Sequence, residues 1–404
     1  MANKKLVLAY SGGLDTSYCL MKLSKEGYQV HAATVNTGGF DELQIEDMQA
    51  KAIQMGANTY KSIDALSSFY QKVVQYLIYG NVLKNNTYPL SVSAERIVQA
   101  IEIIQYAKSI DASAIAHGST GAGNDQVRFD LIFQVMAPEI EIITPIRDQQ
   151  LSRGDEITYL KENGIELSWE KAQYSINQGL WGTSIGGKET ITSHENLPES
   201  AYPSQVSKKT AEEVVLDFQK GELIGINGKT ESPVNNILKL QQQAKKFGIG
   251  RDTHVGDTII GIKGRVGFEA AAPLIIIKSH HLLEKHTLSK WQQFQKEQLG
   301  NFYGMLLHEG QYLDPVMRDL EAFLASSQNT VNGKVFVTLH PYRFELKGID
   351  SPNDLMNASF GSYGEKNIGW TADDARGFIK IISLEIIWPM KGSIIAIPIP
   401  FPTI

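Results

Sequence analysis

Through the first 165 residues, short apolar runs alternate with longer amphipathic ones, a rhythm few topologies accommodate. Lys5 to Tyr10, Gln29 to Val35, Thr59 to Ile63, Ala112 to His117 and Ile140 to Thr144 read as buried parallel strands. Between them stand helical stretches. One carries Leu14, Tyr18, Met21 and Leu23 on a stripe, and others run over Leu43 to Met55 and Val127 to Ala137. Another is capped by Asp64 and runs to Tyr79. Ser93 to Ile110 places Ile97, Ala100, Ile101, Ile104 and Ala107 on one apolar face. The alternation predicts an α/β fold: a doubly wound, mostly parallel sheet over residues 1–166. Ligands of such sheets bind beyond the carboxyl ends of the strands, here the loops 11–17, 36–39 and 117–125.

Near residue 170 the pattern changes. Val214 to Phe218, Leu223 to Ile226, Thr258 to Ile262 and Lys334 to Leu346 read as strands. Val234 to Phe247 and Leu282 to Leu299 read as helices. A second, α+β domain is expected over 167–370, followed by a C-terminal segment, 371–404. In that segment Ile386-Ile387-Trp388-Pro389 and Ile394 to Ile404 are apolar, yet Pro389, Pro398, Pro400 and Pro402 argue against a regular helix or central strand. The expectation is a tail docked on another surface, such as a second subunit.

The loop after the first strand is Ala9-Tyr10-Ser11-Gly12-Gly13-Leu14-Asp15-Thr16-Ser17. Two glycines allow unusual backbone angles and close approach of an anion, and the following helix start offers free N–H groups. Asp15 repels phosphate unless Mg²⁺ bridges the two, so the loop fits a metal–pyrophosphate site. A plain strand–turn–helix with a glycine bend remains open from these residues alone. The loop after the Ala112–His117 run is His117-Gly118-Ser119-Thr120-Gly121-Ala122-Gly123-Asn124-Asp125-Gln126-Val127-Arg128. It offers backbone N–H groups, a carboxylate able to hold an amine and a guanidinium able to hold a carboxylate or phosphate.

Composition removes several classes. The net charge of −6, from 38 basic and 44 acidic residues, argues against a nucleic-acid partner. The single cysteine, Cys19, excludes an intrachain disulfide and a Cys-x-x-Cys zinc site. The apolar run after Lys4-Lys5 is cut short by Ser-Gly-Gly, and no apolar run reaches the roughly 18 residues of a membrane span, so no membrane association and a cytoplasmic location are expected. Gly182 to Lys188 nearly spells a Walker loop, but Glu189 stands where Ser or Thr should hold Mg²⁺. His280, His281 and His286 lie on a helical stretch and read as packed or solvated histidines.

The first loop resembles the pyrophosphate loop of the ATP-pyrophosphatase (PP-loop) superfamily. With the 117–128 string, Tyr88 to Ser93, Tyr174-Ser175 to Ser184 and Gly261-Ile262-Lys263-Gly264-Arg265, the chain resembles the argininosuccinate synthase family over roughly residues 4–380. The resemblance implies an ATP-dependent ligase joining citrulline and aspartate, with release of AMP and pyrophosphate, in arginine biosynthesis. It also implies Mg²⁺ as companion of ATP, and a homotetramer. By position it assigns ATP to Ala9, Tyr10, Ser11, Gly12, Gly13, Leu14, Asp15, Thr16, Ser17, Val35 and Gly118. It assigns aspartate to Thr120, Asn124 and Asp125, and citrulline to Tyr88, Ser93, Asn124, Arg128, Ser175 and Ser184. No side-chain nucleophile is expected, and Asp15 is the candidate metal–pyrophosphate residue. The rivals are another PP-loop adenylating enzyme and a non-catalytic nucleotide-binding regulator. A tRNA thiolase would want a cysteine pair, which a chain with one cysteine lacks.

The chain departs from the family at two citrulline contacts. The family's Glu is Gly256 here, and its Tyr, twelve residues on, is Phe268. Either Asp257 or Glu269, each one residue along, restores the charge, or the substrate is a citrulline with an acylated, neutral α-nitrogen.

Overall fold

β1 (Lys5–Ala9), β2 (Gln29–Asn36), β3 (Thr59–Asp64), β4 (Ala114–Ala116) and β5 (Glu141–Ile143) form one sheet in the order β3-β2-β1-β4-β5, parallel throughout. The computed structural model describes residues 4–165, 174–357, 361, 364 and 368–390, the last three residues by their backbone alone. Alternate β1 side chains pack on opposite layers. Leu6 and Leu8 join Tyr18, Leu20 and Leu160 on one face, whereas Val7 joins Ile97, Ile101 and Ile104 on the other. Helices therefore cover both faces, as a parallel sheet requires. Cys19 sits fully buried on the first helix, Leu14–Lys25, among the side chains of the first layer.

β6 (Ser175–Gly179), β7 (Gly182–Gly186), β11 (Arg251–Asp257) and β12 (Lys263–Glu269) form a four-stranded antiparallel sheet in the order β11-β12-β7-β6. β8 (Glu212–Gln219), β9 (Glu222–Ile226), β10 (Lys229–Thr230), β13 (Gly333–His340) and β14 (Arg343–Asp350) form a third sheet in the order β10-β9-β8-β13-β14. The long helix Ser91–Ser109 joins the two halves, because Trp181 and Phe268 share its apolar core and Trp181 Nε1 donates to the Pro89 carbonyl at 3.0 Å. Contacts gather the chain up to Asn353 into one unit and leave the stretch from Asp354 as a second.

Four expectations change. Lys334 to Leu346 is not one strand but parts of two, β13 and β14, which pair antiparallel across the turn at 341–342. Thr258 to Ile262 is no strand but the turn between β11 and β12: Thr258 N–H donates to the Ile262 carbonyl, and Gly261 takes φ of +86°. Its β-branched residues favour strand, but hairpin closure outranks that preference. Leu282 to Leu299 is two helices, Ala271–Thr287 and Lys290–His308. Ser289 and Gln292 form a capping box that starts the second one, a Ser-x-x-Gln signal visible in the sequence. Ile386 to Pro389 lies inside the helix Ala372–Met390, where a proline in the last turn removes one hydrogen bond without breaking the preceding turns. Ile394 to Ile404 lies outside the described residues.

Candidate active site

The loops after β1, β2 and β4 meet around a cavity of about 850 Å³. Gly13 is the N-cap of the first helix and supplies no side-chain cap, so the N–H groups of its first turn are left for a ligand. Ser11 and Thr16 hydroxyls lie 3.2 Å apart, and Ser11 Oγ also accepts from Gly13 N–H at 3.4 Å, which folds the loop on itself. Gly12 has φ of +73°, and a Cβ there would stand 2.9 Å from Met48 Cγ. Gly118 brings the β4 loop against the β1 loop: a Cβ on it would meet Asp15 Cβ at 3.0 Å and Thr16 N at 3.2 Å.

Asp15 stands beside Glu156, whose carboxyl is lifted above its ordinary value by burial and then by the Asp15 charge. Glu156 is 2 % exposed, and its Oε2 has no hydrogen-bond partner among the described residues. Two carboxyl groups in one place, one with an orphaned oxygen, fit a divalent cation that would also bind phosphate oxygens.

The β4 loop is held from behind. His117 Nδ1 accepts from Ser119 N–H at 3.2 Å, so its Nε2 carries the proton donated to Asp130 Oδ1 at 2.8 Å. Arg147 donates to the other Asp130 oxygen at 2.7 Å. Asp125 bridges two guanidiniums, Arg96 Nε at 2.9 Å and Arg128 Nη1 at 3.0 Å. Burial opposes its charge, but the two cations prevail and hold its carboxyl below the usual range. Asn124 Oδ1 accepts from Ile259 N–H at 2.8 Å, which ties this loop to the β11–β12 turn.

The sequence-predicted residues fall into two groups joined by Arg128. Ala9, Tyr10, Ser11, Gly13, Leu14, Asp15, Thr16, Val35, Gly118, Thr120, Asn124, Asp125, Arg128 and Ser175 line the cavity. Gly12, Ser17, Tyr88, Ser93 and Ser184 do not. Tyr88 instead packs on Phe268 and His254, at ring-centroid distances of 5.3 and 5.2 Å. Ser184 pairs with Phe268 in the β7–β12 ladder. Glu269 is buried and bonded to Arg251 Nε at 2.9 Å, and Asp257 is paired with Lys263 at 2.7 Å on the exposed side. Both candidate replacements for the missing carboxylate therefore have cations of their own.

Sequence reading marked the loop 36–39, which holds Thr37, but missed Glu95 and Arg96; all three line the cavity. Thr37 Oγ1 donates to Glu95 Oε2 at 2.7 Å, and Arg96 Nη1 donates to Glu95 Oε1 at 3.1 Å. Burial lifts the Glu95 carboxyl to about 7, against the pull of Arg96 and Thr37. The available signal was an adjacent charged pair near the start of a helix whose later buried positions are all apolar.

Residues 5–166 match the family model described as the arginosuccinate synthase N-terminal HUP domain, and residues 174–388 match its C-terminal domain. An argininosuccinate synthase of Methanocaldococcus jannaschii is 38% identical over 383 residues, covering 94% of this chain and 96% of that protein. One of Pyrococcus furiosus is 36% identical, covering 94% and 93%, and one of Xanthomonas campestris is 34% identical, covering 95% and 98%. A solved 4-thiouridine synthetase–RNA complex with bound ATP covers 40% of this chain and 41% of its own at 16% identity, and its TM-score of 0.30 carries no argument. Two family models that together span both halves, and near-full-length relatives above 30% identity, lead to one statement: the chain belongs to the argininosuccinate synthase family.

Proposed function

We propose that the protein joins a citrulline to aspartate at the expense of ATP. The observation that carries this reading is the uncapped helix start at Gly13 facing the polar β4 loop across one cavity. The ureido oxygen attacks the α-phosphorus and pyrophosphate leaves. The aspartate amine then displaces AMP from the ureido carbon, losing a proton. The first-turn N–H groups and the hydroxyls of Ser11 and Thr16 take the phosphates, with Ser17 buried behind them, while Val35 and Gly118 flank the nucleoside. Thr120, Asn124 and Asp125 take aspartate; Tyr88, Ser93, Asn124, Arg128, Ser175 and Ser184 take citrulline. Asp15, with Glu156 behind it, would hold Mg²⁺, which when bound neutralises the pyrophosphate charge. No residue serves as nucleophile; the rate comes from positioning and electrostatics.

In this reading residues 1–166 carry the nucleotide, 167–370 complete the substrate site and 371–404 meet other subunits of a cytoplasmic homotetramer. Incubated with Mg-ATP, aspartate and a citrulline, the protein should release AMP and pyrophosphate. ADP as the product would overturn the mechanism.

A further inference from the structure

Behind the cavity, around Tyr88, cation-capable side chains gather. His308 accepts the Arg128 guanidinium: Arg128 Nε and Nη2 donate to the His308 carbonyl at 3.1 and 3.0 Å, and Nη2 lies 3.2 Å from its Nδ1. His254, from β11, stacks on Tyr88 with an interplanar angle of 22°. Gly256 makes room for that ring, since a Cβ at 256 would lie 2.5 Å from His254 Nε2. Lys84 pairs with Tyr88 through the backbone, and Asn85 Nδ2 donates to the Val255 carbonyl at 3.1 Å, so this loop lies against β11.

His254 and His308 are each 6 % exposed, Arg128 is 3 % exposed and Lys84 is partly buried. Burial, then Arg128 and Lys84, push the His308 imidazole down to about 3. Burial pulls the Lys84 ammonium below its ordinary value; Glu309 opposes this more strongly than Arg128 adds to it, and Asp257 opposes it less. Among the described residues Lys84 makes no side-chain ion pair, and Asp257 is bonded to Lys263. Glu269 is held by Arg251. Arg128 and Lys84 are the cations here, the two imidazoles are neutral, and Glu309 forms no ion pair with Lys84 among the described residues, so an ammonium would gain no close partner and an anion would.

Resting on the ligase reading above, we propose that the substrate is a citrulline whose α-nitrogen carries a dicarboxylic acyl group, with the far carboxylate held by Lys84 and the His254 N–H, beside a His308 whose own N–H is turned to the Asp257 carbonyl at 3.4 Å. Acylation removes the α-ammonium that Lys84 and Arg128 would repel. The terminal carboxylate supplies the anion that Lys84 lacks. Arg128 keeps its expected part with the α-carboxylate, and Phe268 offers a wall without a hydroxyl to satisfy.

The test measures pyrophosphate release with Mg-ATP, aspartate and each of citrulline, Nα-acetylcitrulline and Nα-succinylcitrulline. The succinyl compound should exceed both others in kcat/KM by roughly tenfold or more, the factor expected of one charge-assisted hydrogen bond. Lys84→Met should remove that advantage by raising KM with little change in kcat, and should leave the acetyl compound unaffected. Lys84→Arg should retain most of it. Free citrulline equal to or better than the succinyl compound would overturn the proposal and leave the ligase reading intact. So would an acetyl compound as good as the succinyl one, or a succinyl preference that survives Lys84→Met. Pyrophosphate from none of the three would overturn the ligase reading and this proposal with it.

Discussion

Asp125 faces the cavity yet is held by two guanidiniums, so its removal has two effects. Asp125→Ala leaves Arg96 and Arg128 close together without their shared anion. Solvent in the cavity screens them, so the loss is about 1–2 kcal/mol rather than the 3–5 of a dry pair, and urea unfolding reads it directly. Aspartate-dependent turnover should fall further than pyrophosphate exchange into ATP; equal loss of both would remove the aspartate assignment. Glu95 behaves differently because its folded value, about 7, lies above the ordinary carboxylate value. The native state therefore favours its proton: that stability is complete below about pH 4.5 and is lost as pH rises through 7. Glu95→Gln, which keeps the shape without the charge, should gain on the parent in Tm between pH 5 and 8. A Tm difference that stays flat across that window would show that Arg96 already compensates the charge.

The turn 10–13 and the helix behind it work as one piece. Gly12→Ala forces a side chain into the left-handed region against Met48, costing about 1–2 kcal/mol, and tilts the first-turn N–H groups. KM for ATP should rise while KM for aspartate holds; an unchanged KM for ATP would mean that the phosphates do not sit on this turn. The strand–turn–helix was plain in the sequence because its signals are local: an apolar run, two glycines, then a helical stripe. All five parallel strands were visible for the same reason, to within two residues at each end. The β11–β12 hairpin was misread because Thr258-Ile259-Ile260 looks like a strand until β11 and β12 pair on either side of it. Glu95 and Arg96 were passed over because the partners that reveal them, Thr37 and Asp125, lie far along the chain. The fate of Glu269 depended on Arg251, across the β11–β12 ladder, which no local spacing announces.

The stretch from Asp354 forms its own unit, and its helix Ala372–Met390 exposes Phe378, Ile379, Ile381, Ile382, Leu384 and Ile386. Apolar side chains in such number favour association. Truncation after Glu385 should reduce the oligomer size measured by light scattering; an unchanged assembly of unchanged Tm would separate this segment from subunit contact. No helix among the described residues is long and apolar enough to cross a membrane. Cys19 gives the folded molecule an internal clock. The thiol is completely shielded in the layer beneath the loop 11–13, and burial pushes its pKa far up, so neither reagent nor oxidant reaches a thiolate while the sheet and its first helix stay together. With one sulfhydryl in the chain, the rate at which a dye such as dithionitrobenzoate turns yellow counts openings of that layer alone. Saturating ATP should slow the colour, by as much as the nucleotide grips the loop.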